Sequence, residues 1–407
     1  MTLFQSIGIL LSICGIAAYL NQRWKKWPPV LAMTLASMAM ACFLIFLGKM
    51  NFLNLDEIKL FVNQFDFSSL VLEGLLGLLL FAGALFVDVE ALKKWWKPIA
   101  VLATLGVMIS TTVIGTLLWL ILPLFDLHLS IWWCMLFGAL ISPTDPIAAL
   151  AIVRKANAPQ AMETKLVGES LFNDAAGVML FLIILSIIQT EQVSAFMLTH
   201  EFIISPVMGI GIGVGLGMIA KYAVARIDHH PTEILITLAL ATSVYGLAQA
   251  LSVSGPIAAV SAGLVLGQKT RDSLMSDQTR QYLDAFWESA DEVLNAILFA
   301  LMGLTLLVID MPPHIILIGA LIWLTVLVGR SASVWMSLIG FKKDVMGPNT
   351  FSSMVWGGLR GGICLALASA IPAGPQANII ASITFIVVAI SALAQGLTLE
   401  RVLKPKN

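Results

Sequence analysis

The strongest constraint on this chain is a succession of apolar runs, each close to the ~20 residues that a helix needs to cross a bilayer. They lie at about 2–20, 29–48, 69–91, 99–124, 131–153, 164–189, 202–225, 232–251, 255–268, 285–309, 313–340, 350–371 and 377–399. Within lipid every backbone N–H and C=O must be satisfied by the protein itself, which leaves helices or a closed barrel, and runs of this length read as helices. The 407 residues are 59% hydrophobic and 12% charged, too apolar for a soluble domain. The expected fold class is therefore an all-α polytopic membrane protein of about 13 transmembrane helices. The net charge of −1 gives no reason to expect a nucleic-acid partner.

The basic residues give an independent test of the span count. With the N-terminus outside, the cytoplasmic connections carry Arg23, Lys25 and Lys26; Lys93, Lys94 and Lys97; Arg154, Lys155 and Lys165; Lys221 and Arg226; Lys269, Arg271 and Arg280; and Lys342 and Lys343. Arg401, Lys404 and Lys406 follow at a cytoplasmic C-terminus, which puts most of the 23 Lys and Arg on one side. That bias is the positive-inside pattern, and an even number of spans destroys it. Trp24, Trp27, Trp95, Trp96, Trp132 and Trp133 fall at span ends, as an aromatic belt requires. The first run lacks a basic n-region and is expected to stay as a membrane helix. An amphipathic piece at Leu55–Phe65 is expected on the membrane surface. Cys14, Cys42, Cys134 and Cys364 are scattered through apolar stretches, without metal or disulfide spacing, and are expected as buried packing.

Against this background the stretch Ser142–Asp174 stands out. It places Asp145, Glu163, Glu169 and Asp174 between two apolar runs. An ionisable side chain at membrane depth costs from ~3 to ~15 kcal/mol, depending on the reference state, and so points to function. In Ser142-Pro143-Thr144-Asp145-Pro146 two prolines each remove a backbone donor and clash with the preceding turn, so a helix break is expected at Asp145. Broken helices are tolerated in a membrane where they line a cavity, and their freed carbonyls coordinate ions. Further on, Ser170 and Asp174 share one helical face and Glu169 and Asn173 the adjacent one. Two carboxylates, a hydroxyl and loose carbonyls form an all-oxygen cage suited to a hard cation. The same oxygens bind protons, and a site contested by cation and proton is the chemical core of an exchanger. The sequence contains no ATP-binding motif, so ion gradients are the expected energy source.

Thirteen runs divide into six, a linker and six, which aligns the fifth run, with Asp145, with the twelfth, with Arg360. The odd offset makes the halves inverted repeats. The twelfth run holds Gly357-Gly358-Leu359-Arg360-Gly361-Gly362, glycines that weaken a helix, so two interrupted helices at matching positions are expected.

These motifs together resemble the NhaP-type monovalent cation:proton antiporters, relatives of the eukaryotic sodium/proton exchangers. The likeness runs from Gly138 through Ser142–Pro146 to Gly168-Glu169-Ser170-Leu171-Phe172-Asn173-Asp174. It continues in Gly255–Val260, in Phe286-Trp287-Glu288 with Asn295–Phe299, and in Gly358–Gly362. It implies an NhaA/NhaP-like antiporter fold and a homodimer. The core domain would span about 69–190 and 285–399, and the dimerisation domain about 1–68 and 201–268. It implies Asp174 as the principal cation and proton carboxylate, Asp145 and Ser170 as further ligands, and Thr144 contributing its carbonyl. Asn173 would hold the helix crossing through Thr144, and Glu169 would pair with Arg360. The Asn173-Asp174 pair resembles the electroneutral branch, which exchanges one Na+, or Li+, for one H+ without a cofactor. One position departs from the pattern: Leu79-Leu80-Phe81 is followed by Ala82, where many relatives carry an acid, so a carboxylate from this helix is expected only if Glu73 or another group substitutes.

Other readings remain beside this one. Oxygen ligands alone do not fix cation size, so K+/H+ exchange stays open, and a cation channel would also use buried carboxylates. An intramembrane aspartyl protease is disfavoured because neither aspartate sits in a Gly-x-Gly-Asp setting. Arg330 reads as an interfacial, lipid-contacting side chain. Glu288, Asp291 and Glu292 read equally as an acidic funnel or as a solvated helix end. Gly209, Gly211, Gly213, Gly215 and Gly217 read as close helix packing. His229-His230 reads as solvated, with a pH-sensing role as the lesser alternative. The brief segment after Glu400 suggests a prokaryotic inner-membrane protein without a regulatory tail.

Overall fold

A computed structural model of the chain describes residues 3–25, 27, 29–50, 52, 69–145, 153, 160–190, 194–305, 313–341 and 350–403. The amphipathic piece at Leu55–Phe65 and residues Pro146, Arg154, Lys155, Lys342 and Lys343 lie outside the described residues. Every regular element among the described residues is helical. The nine principal helices of the first part are α1 (Leu3–Leu20), α2 (Pro29–Lys49), α3 (Leu70–Leu85), α4 (Val89–Ala103), α5 (Leu105–Ile121), α6 (Ile131–Ile141), α7 (Gln160–Thr190), α8 (His200–Val224) and α9 (His230–Ala250). Then come α10 (Gly255–Val265), α11 (Gln268–Leu274), α12 (Asp277–Thr305), α13 (Pro313–Leu338), α14 (Thr350–Trp356), α15 (Gly362–Ser369) and α16 (Pro375–Leu403). Among the described residues six helical stretches are long and apolar enough to cross a membrane, and shorter apolar helices accompany them. The protein is an all-helical polytopic membrane protein.

Several boundaries differ from the expected spans for local reasons. The third run ends as a helix at Leu85, and α4 restarts at Val89 because Asp88 caps it, accepting hydrogen bonds from the N–H groups of Glu90 (2.9 Å) and Ala91 (3.1 Å). Lys93, Lys94 and Lys97 therefore sit on an amphipathic helix rather than in a connection. Lys165, also expected in a connection, is buried in α7 with its ammonium 4.1 Å from the centre of the Trp95 ring. Arg271 is likewise buried. Its guanidinium donates to the carbonyls of Leu85 (2.8 Å) and Leu266 (3.1 Å) and pairs with Asp284 at 3.0 Å, tying the ends of α3 and α10 to the start of α12. Among the cysteines, Cys42 is exposed on α2, in contrast to the buried Cys14, Cys134 and Cys364. His229 is exposed, and His230 stacks on Tyr282 at 4.3 Å.

Two hydrophobic clusters organise the packing. One gathers α5, α6, α13, α15 and α16 around Phe137, Ile322 and Val387. The other gathers α3, α9 and α10 around Phe81, Val244 and Trp287. The second depends on a close approach of α8 to α10. A Cβ at Gly209 would lie 2.8 Å from the Ser254 carbonyl oxygen, and one at Gly213 would lie 2.3 Å from that of Ala258. Gly211 and Gly215, on the other face, meet nothing within 4 Å. Only alternate glycines of the run serve the contact, at the four-residue spacing of one helix face.

Gly213→Leu is therefore expected to lower the thermal stability of the detergent-solubilised protein, at an overpacking cost of ~1–3 kcal/mol. Gly215→Leu should leave the melting temperature unchanged. Equal melting of the two variants would contradict this packing.

Candidate ion-binding site

Helix α6 stops at Ile141, four residues before the break expected at Asp145, and Ser142–Asp145 runs on without helical structure. On the other side α14 ends at Trp356 and α15 starts at Gly362, with the glycine-rich stretch unwound between them. The two unwound segments cross in the interior. The Asp145 N–H donates to the Leu359 carbonyl (2.8 Å), so each segment satisfies a group that the other's missing helix would have left bare. The Arg360 guanidinium donates to the carbonyls of Ser142 (2.6 Å) and Pro143 (3.0 Å), and its own N–H donates to Ser391 Oγ at 3.1 Å. The crossing is tight. A Cβ at Gly361 would lie 2.7 Å from Asp145 Oδ2, and one at Gly177 of α7 would lie 2.4 Å from Pro143 Cγ.

Helix α7 braces the first unwound segment. Asn173 accepts the Thr144 N–H at 3.3 Å and donates through Nδ2 to Thr144 Oγ1 at 2.8 Å; Ser170 Oγ lies 2.8 Å from the same hydroxyl. Asp174, 3% exposed, is one residue beyond Asn173 and faces a cavity that Asp145, Thr144, Asn295 and Cys364 also line. The space swept by the centre of a water-sized sphere is about 60 Å3, several times what one water needs. The remaining wall is apolar, and from α3 it comprises Leu76, Leu79, Leu80 and Gly83. Ala82 is fully buried in packing and Glu73 is exposed, so neither is on the cavity wall.

The structure corrects the ion pairing. Glu169 is held by Arg330, whose two terminal nitrogens each donate to one carboxylate oxygen, Nη2 to Oε2 at 2.9 Å. Arg330 also donates to the Met354 carbonyl from Nε (3.2 Å) and Nη2 (2.9 Å). It is 4% exposed and is not an interfacial side chain. Arg360 is left to the backbone of the crossing. Arg330 comes from α13 and Arg360 from the unwound stretch between α14 and α15, and only the tertiary packing decides which guanidinium reaches Glu169. Of the acidic trio on α12, Glu288 and Glu292 are exposed, whereas Asp291 is partly buried within electrostatic reach of Asp145. Asn295, one turn beyond Asp291, belongs to the Asn295–Phe299 motif of the resemblance, but nothing in the sequence assigns it to the site. Among the described residues, no group of three His, Cys, Asp or Glu could hold a resident metal.

A polytopic helical membrane protein whose unwound segments cross beside two carboxylates on one cavity belongs to the class of secondary ion transporters. Residues 8–405 match the family model described as sodium/hydrogen exchanger, transmembrane. The chain is 39% identical over 405 residues to the Na(+)/H(+) antiporter NhaP of Pseudomonas aeruginosa, covering 97% of this chain and 94% of that protein. It is 30% identical over 407 residues to the Na(+)/H(+) antiporter NhaH of Halobacillus dabanensis, covering 98% and 95%. Its fold is similar to the sodium proton antiporter MjNhaP1 of Methanocaldococcus jannaschii, with a TM-score of 0.79 at 20% identity over 99% of each chain. The chain belongs to the sodium/hydrogen exchanger family.

Removing Arg330 should be severe, because it leaves a buried carboxylate unpaired at a cost of ~3–5 kcal/mol. Arg330→Gln is expected to reduce the yield of folded protein sharply, and Glu169→Gln/Arg330→Gln to recover part of it. A double-mutant cycle should place the coupling between Glu169 and Arg330; stronger coupling to Arg360 would overturn the pairing. Gly361→Ala drives a methyl into Asp145 and should abolish transport in protein that still elutes as a folded species.

Proposed function

We propose that this protein exchanges Na+, and also Li+, for H+ by alternating access around Asp174 and Asp145, one cation for one proton. The observation that carries this reading is that both carboxylates line one cavity at the crossing of two unwound segments. Asp174 meets the cation or the proton, Asp145 is the second carboxylate, and Thr144 and Ser170 supply oxygens beside them. Asn173, Arg360 and the Glu169–Arg330 pair organise the site. The carboxylates cannot comfortably hold a cation and their protons together, and an empty, ionised site is costly to carry through a low-dielectric interior. Movement of the site is therefore favoured only when cation or proton neutralises it, which couples the two fluxes. The names of the bacterial relatives support sodium as the cation and membership of the exchanger family supports antiport.

The wider architecture follows the same reading. Thirteen spans in two inverted halves would set the N-terminus outside and the C-terminus in the cytoplasm, in a prokaryotic inner membrane. A core of about 69–190 and 285–399 would move against a dimerisation domain of about 1–68 and 201–268 in a homodimer. Labelling of single cysteines at the termini tests the orientation, and cross-linking in membranes tests the dimer.

Purified protein in proteoliposomes carrying a preset pH gradient provides the central test. Sodium and lithium should collapse the gradient, a clamped membrane potential should leave the rate unchanged, and Asp174→Ala should abolish it. Exchange by Asp174→Ala would remove the site, ohmic current would indicate a channel, and activity with potassium alone would replace sodium as the cargo.

A further inference from the structure

One polar side chain on the cavity wall has no part in the site as described so far. Asn295 comes from α12, a helix separate from both the unwound segments and α7, and it is 4% exposed. Its amide nitrogen donates twice within its own helix, to the Asp291 carbonyl at 2.7 Å and to Asp291 Oδ1 at 3.2 Å. Both partners are oxygen acceptors. Rotating the amide by half a turn would set its oxygen against two other oxygens, so Asp291 determines which way Asn295 points. The nitrogen is committed to Asp291, and the amide oxygen accepts no hydrogen bond among the described residues. Its side chain shares the cavity wall with Asp145, Asp174 and Thr144.

A hard cation leaving water needs several oxygens to replace its hydration shell. The hydroxyls nearest the carboxylates are already engaged: Thr144 Oγ1 accepts from Asn173 and shares a hydrogen bond with Ser170. The α3 part of the wall is apolar, so among the described residues that line the cavity the neutral side-chain oxygen left without a hydrogen bond comes from α12. We propose that the Asn295 amide oxygen is a further ligand of the transported cation, facing the two aspartates across the cavity, with Asp291 as the residue that orients it. The inference rests on the exchange site proposed above and deepens it. A neutral ligand adds affinity for a dehydrated cation and none for a proton that one carboxylate oxygen already binds. Asn295 therefore bears on the cation half of the cycle.

The test uses initial exchange rates of the full-length protein in proteoliposomes as a function of sodium and of lithium. Asn295→Leu keeps the volume and removes the oxygen; it should raise the apparent KM for both ions about tenfold or more, the loss of ~1.4 kcal/mol of binding, with Vmax nearly kept. Asn295→Asp keeps an oxygen towards the cavity and should hold KM near that of the unaltered protein. A purely structural role, donating to Asp291, is lost in both variants and would move both KM values together, which would overturn the proposal. So would an unchanged KM in Asn295→Leu. If the leucine variant does not fold, Asn295→Ala carries the same expectation with less bulk. Asp174→Ala in parallel separates the two readings. Exchange in that variant removes the site itself, whereas its silence beside a normal KM in Asn295→Leu removes only the role of Asn295.

Discussion

The backbone hydrogen bond from Asp145 to Leu359, clamped by Arg360 on the Ser142 and Pro143 carbonyls, is what the rest of the structure depends on. A helix interrupted at membrane depth leaves donors and acceptors that lipid cannot satisfy, each at a cost of several kcal/mol. Here two interruptions meet and answer one another. Once they do, Asp145 is placed beside Asp174, Gly361 becomes intolerant of any side chain, and Asn173 and Ser170 can grip Thr144 from α7. The site is a by-product of solving the backbone problem in this way.

Charge is handled with the same economy. Arg330 and Glu169 form a bidentate pair that neutralises itself, and its remaining donors go to the Met354 carbonyl. Arg360 meets backbone carbonyls instead of a carboxylate. The closed Glu169–Arg330 pair belongs to the scaffold and stands apart from the carboxylates on the cavity wall.

Much of the fold and of the candidate site is legible in the residues alone. The apolar runs, the proline-flanked Asp145, the glycines around Arg360 and the face shared by Ser170 and Asp174 were all legible, because each follows from local chemistry or helical period. The family followed from the order of those motifs. Harder to read were Lys93, Lys94 and Lys97, which look like a charged connection and prove to be the polar face of α4. Lys165 looks equally solvated and is buried under Trp95. In both cases a cation's long stem and an aromatic neighbour allow an arrangement that composition does not reveal.

By itself the sequence determined that this chain crosses a membrane as helices, that two of those helices must break, and that carboxylates stand beside one break. These follow from length, hydropathy and backbone sterics, which act within a turn or two of chain. Only the tertiary structure decided that Glu169 takes Arg330 rather than Arg360, that alternate glycines of α8 carry the contact with α10, and that Asn295 shares a cavity with Asp145 and Asp174. Those outcomes depend on which faces of distant helices pack together, and side chains tens to more than a hundred residues apart carry no local signal of whom they will meet.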